Sequence, residues 1–256
     1  MNPRAVGIPA LVTLALVGCG PTPIDAIELT GSATKTTGLV AHWAFDEESG
    51  ALAHDDSGNA YHGHLVGGQW VKDGRFGGGL HLSRGDFVAV NGFQDAGPDW
   101  TVSAWFHLAQ EDVLPEWSSL VSTEIYSRGG WQLYIESAGT DPNFYFEYGV
   151  PDGGRGYEEL GCCSPKQAGV WYHLTAVTTA DASLTLYVGA EVRITSKMKS
   201  AISPGDPTLY FGRWIRSDMD IADGPGFFSG VLDDVSIYAR ALGPDEVARI
   251  DRAAAP

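Results

Sequence analysis

Residues 227–250 read FFSGVLDDVSIYARALGPDEVARI. Val231, Leu232, Val235, Ile237 and Tyr238 all favour a pleated backbone, so Val231–Tyr238 reads as a strand. Gly243–Arg252 reads as a short helix. Pro244 sits at a helix-starting position, Asp245 and Glu246 lie in the first turn, and Val247 with Ile250 forms an apolar pair. Two adjacent carboxylates, Asp233 and Asp234, interrupt the strand. Neighbours on a strand point to opposite faces, so one of the two is expected to face the interior. A buried charge is costly unless something pairs with it. That carboxylate therefore needs a partner.

Outward from this segment the punctuation is that of a β protein. The chain carries 33 Gly and 14 Pro, and its apolar runs are short. Candidate strands are Leu39–Phe45, Gly79–Ser83, Phe87–Asn91, Thr101–Leu108, Ser119–Glu124, Trp131–Glu136, Phe144–Tyr148, Trp171–Thr178, Leu184–Val188, Thr208–Gly212 and Val231–Tyr238. In WTVSAWFHL, Trp100, Val102, Ala104, Phe106 and Leu108 share one face, and Trp105 points the other way. Turn residues separate the runs at the spacing of a sandwich. The expected fold class is all-β, with residues 39–252 as one domain.

The N-terminus is of another kind. Val6 to Val17 is an apolar run of 12 residues, too short to span a bilayer and suited to the core of a signal peptide. It ends in Leu16-Val17-Gly18-Cys19, which resembles the lipobox of bacterial lipoproteins. The resemblance implies cleavage after residue 18, acylation of Cys19, and a location in the bacterial cell envelope, at the outer membrane or cell surface. An ordinary secretory signal with an incidental Cys is the alternative. Residues 19–38, polar and rich in Pro, Gly, Ser and Thr, read as a tether. The remaining cysteines, Cys162 and Cys163, are adjacent. They fit a vicinal disulfide in an oxidising compartment or two thiols in a loop.

The full chain has 16 Lys and Arg against 32 Asp and Glu, a formal net charge of −16. Such a surface argues against nucleic acid as a partner and against anionic lipid headgroups.

Six stretches resemble the laminin-G-like jelly-roll domains of the concanavalin A-like lectin/glucanase superfamily. These are GLVAHWAFDEESG (38–50), DDSGNAYHGHLVGG (55–68), GRFGGGLHLSRGDFVAV (74–90), WTVSAWFHL (100–108), VWYHLTAVTTADASLTLYVGAEV (170–192), and LYFGRW (209–214) with the closing segment quoted above. Gly243 departs from the pattern, standing where a capping Ser is usual. The resemblance implies a two-sheet antiparallel jelly-roll sandwich with its first and last strands adjacent and a short C-terminal helix. It also implies a structural calcium near those strands. Asp46, Asp55, Asn59 and Asp233 offer oxygen ligands for it, with Asp56 and Asp234 as alternates. Two other roles stay open: an Asx turn shaped by Asp55 and Asp56, and backbone N–H groups donating to Asp233 or Asp234.

Glycoside hydrolases of this fold carry two carboxylates on one strand, in a Glu-x-Asp-x-(x)-Glu run. The sequence has no such run. Glu136 and Glu147 each stand alone on a strand, and Glu158-Glu159 reads as part of a loop. His62 and His64 read as surface residues near a turn. The expectation is a non-catalytic binding or adhesion module for carbohydrate or for an extracellular or envelope protein. A hydrolase or lyase, or a structural protein without a ligand, are the alternatives. Aromatic rings are the candidate platforms: Trp105, Trp131, Tyr134 and Trp214 head the list, with Tyr145 and Tyr148 behind them.

Overall fold

The computed structural model describes residues 37–94, 97–108, 117–123, 129–136, 143–150, 157–163, 169–205, 207–214 and 226–253, without the side chains of Asn143 and Cys163. The leader, Cys19 and almost all of the tether lie outside the described residues.

In chain order the strands are β1 (Leu39–Trp43), β2 (Leu52–Ala53), β3 (Gly63–Val66), β4 (Gln69–Phe76), β5 (Gly78–Leu82), β6 (Phe87–Asn91), β7 (Trp100–Leu108) and β8 (Trp117–Ser122). They continue with β9 (Trp131–Glu136), β10 (Asn143–Gly149), β11 (Tyr157–Cys163), β12 (Trp171–Thr178), β13 (Ser183–Val188), β14 (Glu191–Lys197), β15 (Thr208–Phe211) and β16 (Gly230–Tyr238). A helix, α1 (Pro244–Ile250), follows. The first sheet runs β14-β13-β12-β7-β16-β5-β4, with β1 also on β16, and the second runs β11-β10-β9-β8-β15-β6-β3-β2. All the strand pairs are antiparallel. The all-β jelly-roll sandwich expected from the sequence is present, with its short helix.

Period-two alternation builds the core. Val102, Ala104 and Phe106 of β7 turn inward with Leu174 and Ala176 of β12, and meet Phe144 and Phe146 of β10 from the facing sheet. Trp43, Phe106, Phe211 and Phe228 are fully buried, each worth roughly 1.5–3 kcal/mol relative to exposure. A second, smaller core lies on the outer face of the first sheet. There α1 presses Val247 and Ile250 onto Val177, Tyr187 and Tyr238. Gly243 supplies no capping side chain, but its N–H donates to Glu246 at 2.9 Å. Arg240 grips both oxygens of that carboxylate, at 2.8 and 2.7 Å, and holds Glu246 below the usual carboxylate range.

The doublet Asp233-Asp234 lies at a switch in pairing. Along one edge of β16, Gly230–Leu232 pairs with β5 while Val235–Tyr238 pairs with β1. A bulge falls between the two runs, and Asp234 takes φ 47°. Simple alternation predicts one buried carboxylate. The bulge buries both, at 0% and 4% exposure. Each has found its own partner. Asp233 Oδ2 accepts the N–H groups of Arg75 and Phe76 at 2.6 and 2.9 Å, and so holds the turn between β4 and β5. A side chain at Gly74 would collide with the carbonyl of Gly78, so only glycine lets this hairpin close around the carboxylate. Asp234 Oδ1 lies 2.7 Å from Nε2 of His42, on β1.

Burial, with Asp234 alongside, pushes the Asp233 carboxyl up to about 7 despite its two N–H donors. Between its ordinary pKa and about 7 the folded state binds more protons than the unfolded chain, so this group lowers stability as pH rises through that window. Asp233→Asn keeps an oxygen for Arg75 and Phe76 and removes the titration. Thermal melts from pH 4 to pH 8 should show the variant gaining on the parent as pH rises, by at most about 4 kcal/mol at about 1.4 kcal/mol per pKa unit. Parallel pH profiles for the two proteins would show that Asp233 carries no buried-charge penalty.

Candidate functional site

The four residues offered for calcium fall at two turns. Asp46 accepts the Gly78 N–H at 2.6 Å, so it shares the β4–β5 hairpin with Asp233. Asp55 sits in the turn between β2 and β3. Its Oδ1 accepts the N–H groups of His42 and Ser57, and its Oδ2 accepts the Ser57 hydroxyl and the Tyr61 N–H, all at 2.9 Å. These donors hold its carboxyl low against the penalty of burial. The Asn59 amide donates to the Val40 carbonyl at 2.8 Å. Asp56 is exposed. The turn therefore covers the outer edge of β1 with side-chain hydrogen bonds. His62 belongs to the same turn, its Nδ1 accepting the Asp55 N–H at 3.0 Å. Among the described residues no three His, Cys, Asp or Glu side chains form a group able to hold a metal ion. As placed, this set does not supply the six to eight converging oxygens that calcium takes.

Trp105 faces away from the core, as alternation requires, but the outer face of the first sheet is covered. The Trp105 ring stacks on His173 at 4.7 Å, carries the Arg75 guanidinium at 4.5 Å, and meets Phe76 edge-on at 5.6 Å. Beside it runs a buried polar chain. Asp251 lies 3.0 Å from Nδ1 of His173, and Nε2 of His173 lies 2.6 Å from the Ser103 hydroxyl. The residue types resemble a hydrolytic triad. Ser103 is only 1% exposed, so no substrate reaches it. The chain ties the residue after α1 to β12 and β7.

The second sheet presents an open groove on its outer face. Alternation along β9 turns Trp131, Leu133 and Ile135 into the core, and Gln132, Tyr134 and Glu136 into the groove. Strand β10 adds Glu147, β11 adds Tyr157 and Glu159, and Trp117 and Trp214 complete the lining. The groove holds about 200 Å³. Tyr134 and Tyr145 stack at 5.1 Å and 17°. A side chain on Gly161 would strike the Tyr145 ring, so that glycine lets the ring lie across β11. The Tyr134 hydroxyl donates to Glu159 at 3.0 Å, and the Gln132 amide donates to the buried Glu147 at 2.5 Å. Burial, with the charges of Glu147 and Glu159 close by, raises the Tyr134 phenol far above its ordinary pKa. It stays a neutral donor at every physiological pH.

Of the four aromatic candidates, Tyr134 and Trp214 line the groove at 4% and 6% exposure, Trp105 lies under Arg75 and Phe76, and Trp131 is a core residue 2% exposed. Trp117, Gln132, Glu147, Tyr157 and Glu159 are groove residues that local sequence pattern does not single out. By sequence β11 reads as a loop, which separates Glu159 from Glu147, the residue it directly faces. Three glutamates thus meet on one face from three neighbouring strands, an arrangement invisible to a search along one strand. Cys162 is buried against the core from β11.

Similar architectures occur in solved structures. Domain 4 of AbnA, an extracellular arabinanase from Geobacillus stearothermophilus solved in complex with arabinotriose, is 17% identical, with a TM-score of 0.65 over 84% of this chain and 98% of that one. The binding domain of botulinum neurotoxin serotype D is 17% identical, with a TM-score of 0.61 over 85% of this chain and 52% of that one. The binding domain of Paraclostridial Mosquitocidal Protein 1 is also 17% identical, with a TM-score of 0.62 and the same coverage. The chain thus spans about half the length of those two toxin domains. No curated protein matches the sequence. Residues 82–248, from the end of β5 into α1, match the laminin G type Laminin_G_3, and the chain belongs to the concanavalin A-like lectin/glucanases superfamily.

Proposed function

We propose that this domain is a non-catalytic carbohydrate-binding module, presented by a lipid-anchored protein of the bacterial cell envelope. The groove of the second sheet carries the reading. It combines aromatic faces, on which the C–H side of a sugar ring packs, with amide and carboxylate groups that hydrogen-bond hydroxyls. The arabinotriose complex of an architecturally similar domain supports it, and makes arabino-oligosaccharides the first ligands to try. The toxin binding domains support binding as the task of such a sandwich. The anchor rests on the Leu16–Cys19 motif.

The glutamates invite a second reading as a hydrolase. Glu147 and Glu159 are cross-strand neighbours, and retaining glycosidases hold two carboxyl groups ~5 Å apart. Here Glu147 lies beneath the groove surface bonded to Gln132, and Glu159 accepts the Tyr134 hydroxyl. Both serve the groove wall as acceptors, which favours binding over bond cleavage.

Calorimetry with arabino-oligosaccharides, backed by a glycan array, tests the reading. Tyr157→Ala and Trp117→Ala should each weaken binding roughly tenfold, the equivalent of about 1.4 kcal/mol. EDTA should leave the affinity unchanged, because no group of three His, Cys, Asp or Glu able to hold a metal lies in the groove among the described residues. Glycan binding that ignores both substitutions would place the site elsewhere, and release of reducing ends from a bound oligosaccharide would make the glutamates catalytic. For the anchor, Cys19→Ala should shift the protein from the membrane fraction to the soluble fraction of cells expressing it. An unchanged distribution would leave Cys19 without that role.

A further inference from the structure

At one end of the sandwich the sheets part over a second cavity, of about 440 Å³. Its floor is a pair of rings, one from each sheet. Trp100 opens β7 and Trp131 opens β9, with centroids 4.7 Å apart and planes inclined by 40°. Both are at least 95% buried. Gly97 and Pro98 line the approach to β7, and Met198 and Ile202 form the opposite wall. The rest of the rim is small: Ala180, Ala182 and Ala201 stand where larger apolar side chains would fill the space.

The polar groups of this wall are spent on one another. The Pro98 carbonyl accepts the Thr178 hydroxyl at 3.0 Å. The Thr179 hydroxyl donates to Asp181 at 2.5 Å, and the Thr179 carbonyl accepts the Ala182 N–H at 2.8 Å. The Ala182 carbonyl accepts the Met198 N–H at 2.8 Å. A sugar would strip water from its hydroxyls here and find few partners in return. An apolar molecule would lose nothing. The volume falls within the range of small-molecule sites, and the lining is apolar with aromatic rings at its base. We infer that this cavity is a binding site for a small, uncharged, apolar ligand, held between Met198, Ile202 and the edges of Trp100 and Trp131 that border the space. It is separate from the groove: Trp131 faces the cavity, while its neighbour Gln132 faces the groove on the other side of β9.

N-phenyl-1-naphthylamine, an uncharged aromatic fluorophore that brightens in apolar surroundings, is the probe. Titrated into the full 256-residue chain, it should saturate one site and accept excitation energy from tryptophan. Ala201→Trp fills the cavity from its rim and should weaken that site at least tenfold. Ala180→Leu, from a different segment of the rim, should weaken it in the same sense. Melting temperature and near-ultraviolet circular dichroism report the fold of each variant, so the result does not depend on sugar binding. If both filled variants fold and still take the probe as the parent does, the probe lies outside the cavity, for instance on the apolar run Val6–Val17, and the inference is wrong. Absence of any saturable site in the parent overturns it equally.

Discussion

The sandwich depends on how β16 is held along one edge. That edge changes partners in mid-strand, from β5 to β1, and the ladder is broken where the change occurs. Two carboxylates repair the break. Asp233 takes two hairpin N–H groups that have no strand partner at that point, and Asp234 reaches across to His42. Without them the closing strand, the first strand and the β4–β5 hairpin would meet at a gap lined with unsatisfied backbone. The repair carries its own cost, since one Asp233 oxygen is left buried without a hydrogen-bond partner.

That central constraint also decides where the molecule can act. Arg75, Phe76, α1 and the Asp251–His173–Ser103 chain all settle on the outer face of the first sheet, and together they seal it. Among the described residues no helix lies over the groove of the second sheet, whose aromatic and acidic side chains line a cavity on the face away from the core. One sheet stabilises the fold and the other presents a surface. The same division explains why an aromatic residue correctly placed on an outward face, Trp105, is still not a ligand platform.

The sequence revealed what obeys a simple period. The inward faces of β7 and β12 follow directly from alternation, and α1 follows from Pro244, its acidic first turn and its apolar pair. Features that break or hide the period were not legible. A bulge buries both carboxylates where alternation would bury one, and nothing in DDVS announces it. Strands β4, β11 and β14 are polar or exposed over much of their length, so they offered no apolar alternation. With β11 unread, the meeting of Glu147 with Glu159 could not be foreseen. Covering is a tertiary property as well, which is why the hairpin over Trp105 was beyond the reach of local pattern. The same holds for the calcium expectation. The residue types around the terminal strands are those of a cation site, yet both oxygens of Asp55 and one each of Asp46 and Asp233 are engaged by N–H and hydroxyl donors from neighbouring turns.

The bond between His42 and Asp234 joins residues 192 positions apart. A chain built this way cannot complete its first sheet while it is still being made, because the strand that sits between β7 and β1 is among the last to emerge. Long-range closure is slow and follows the local hairpins. The first sheet can therefore close only after β16 has left the ribosome, when the hairpins before it have already had time to form.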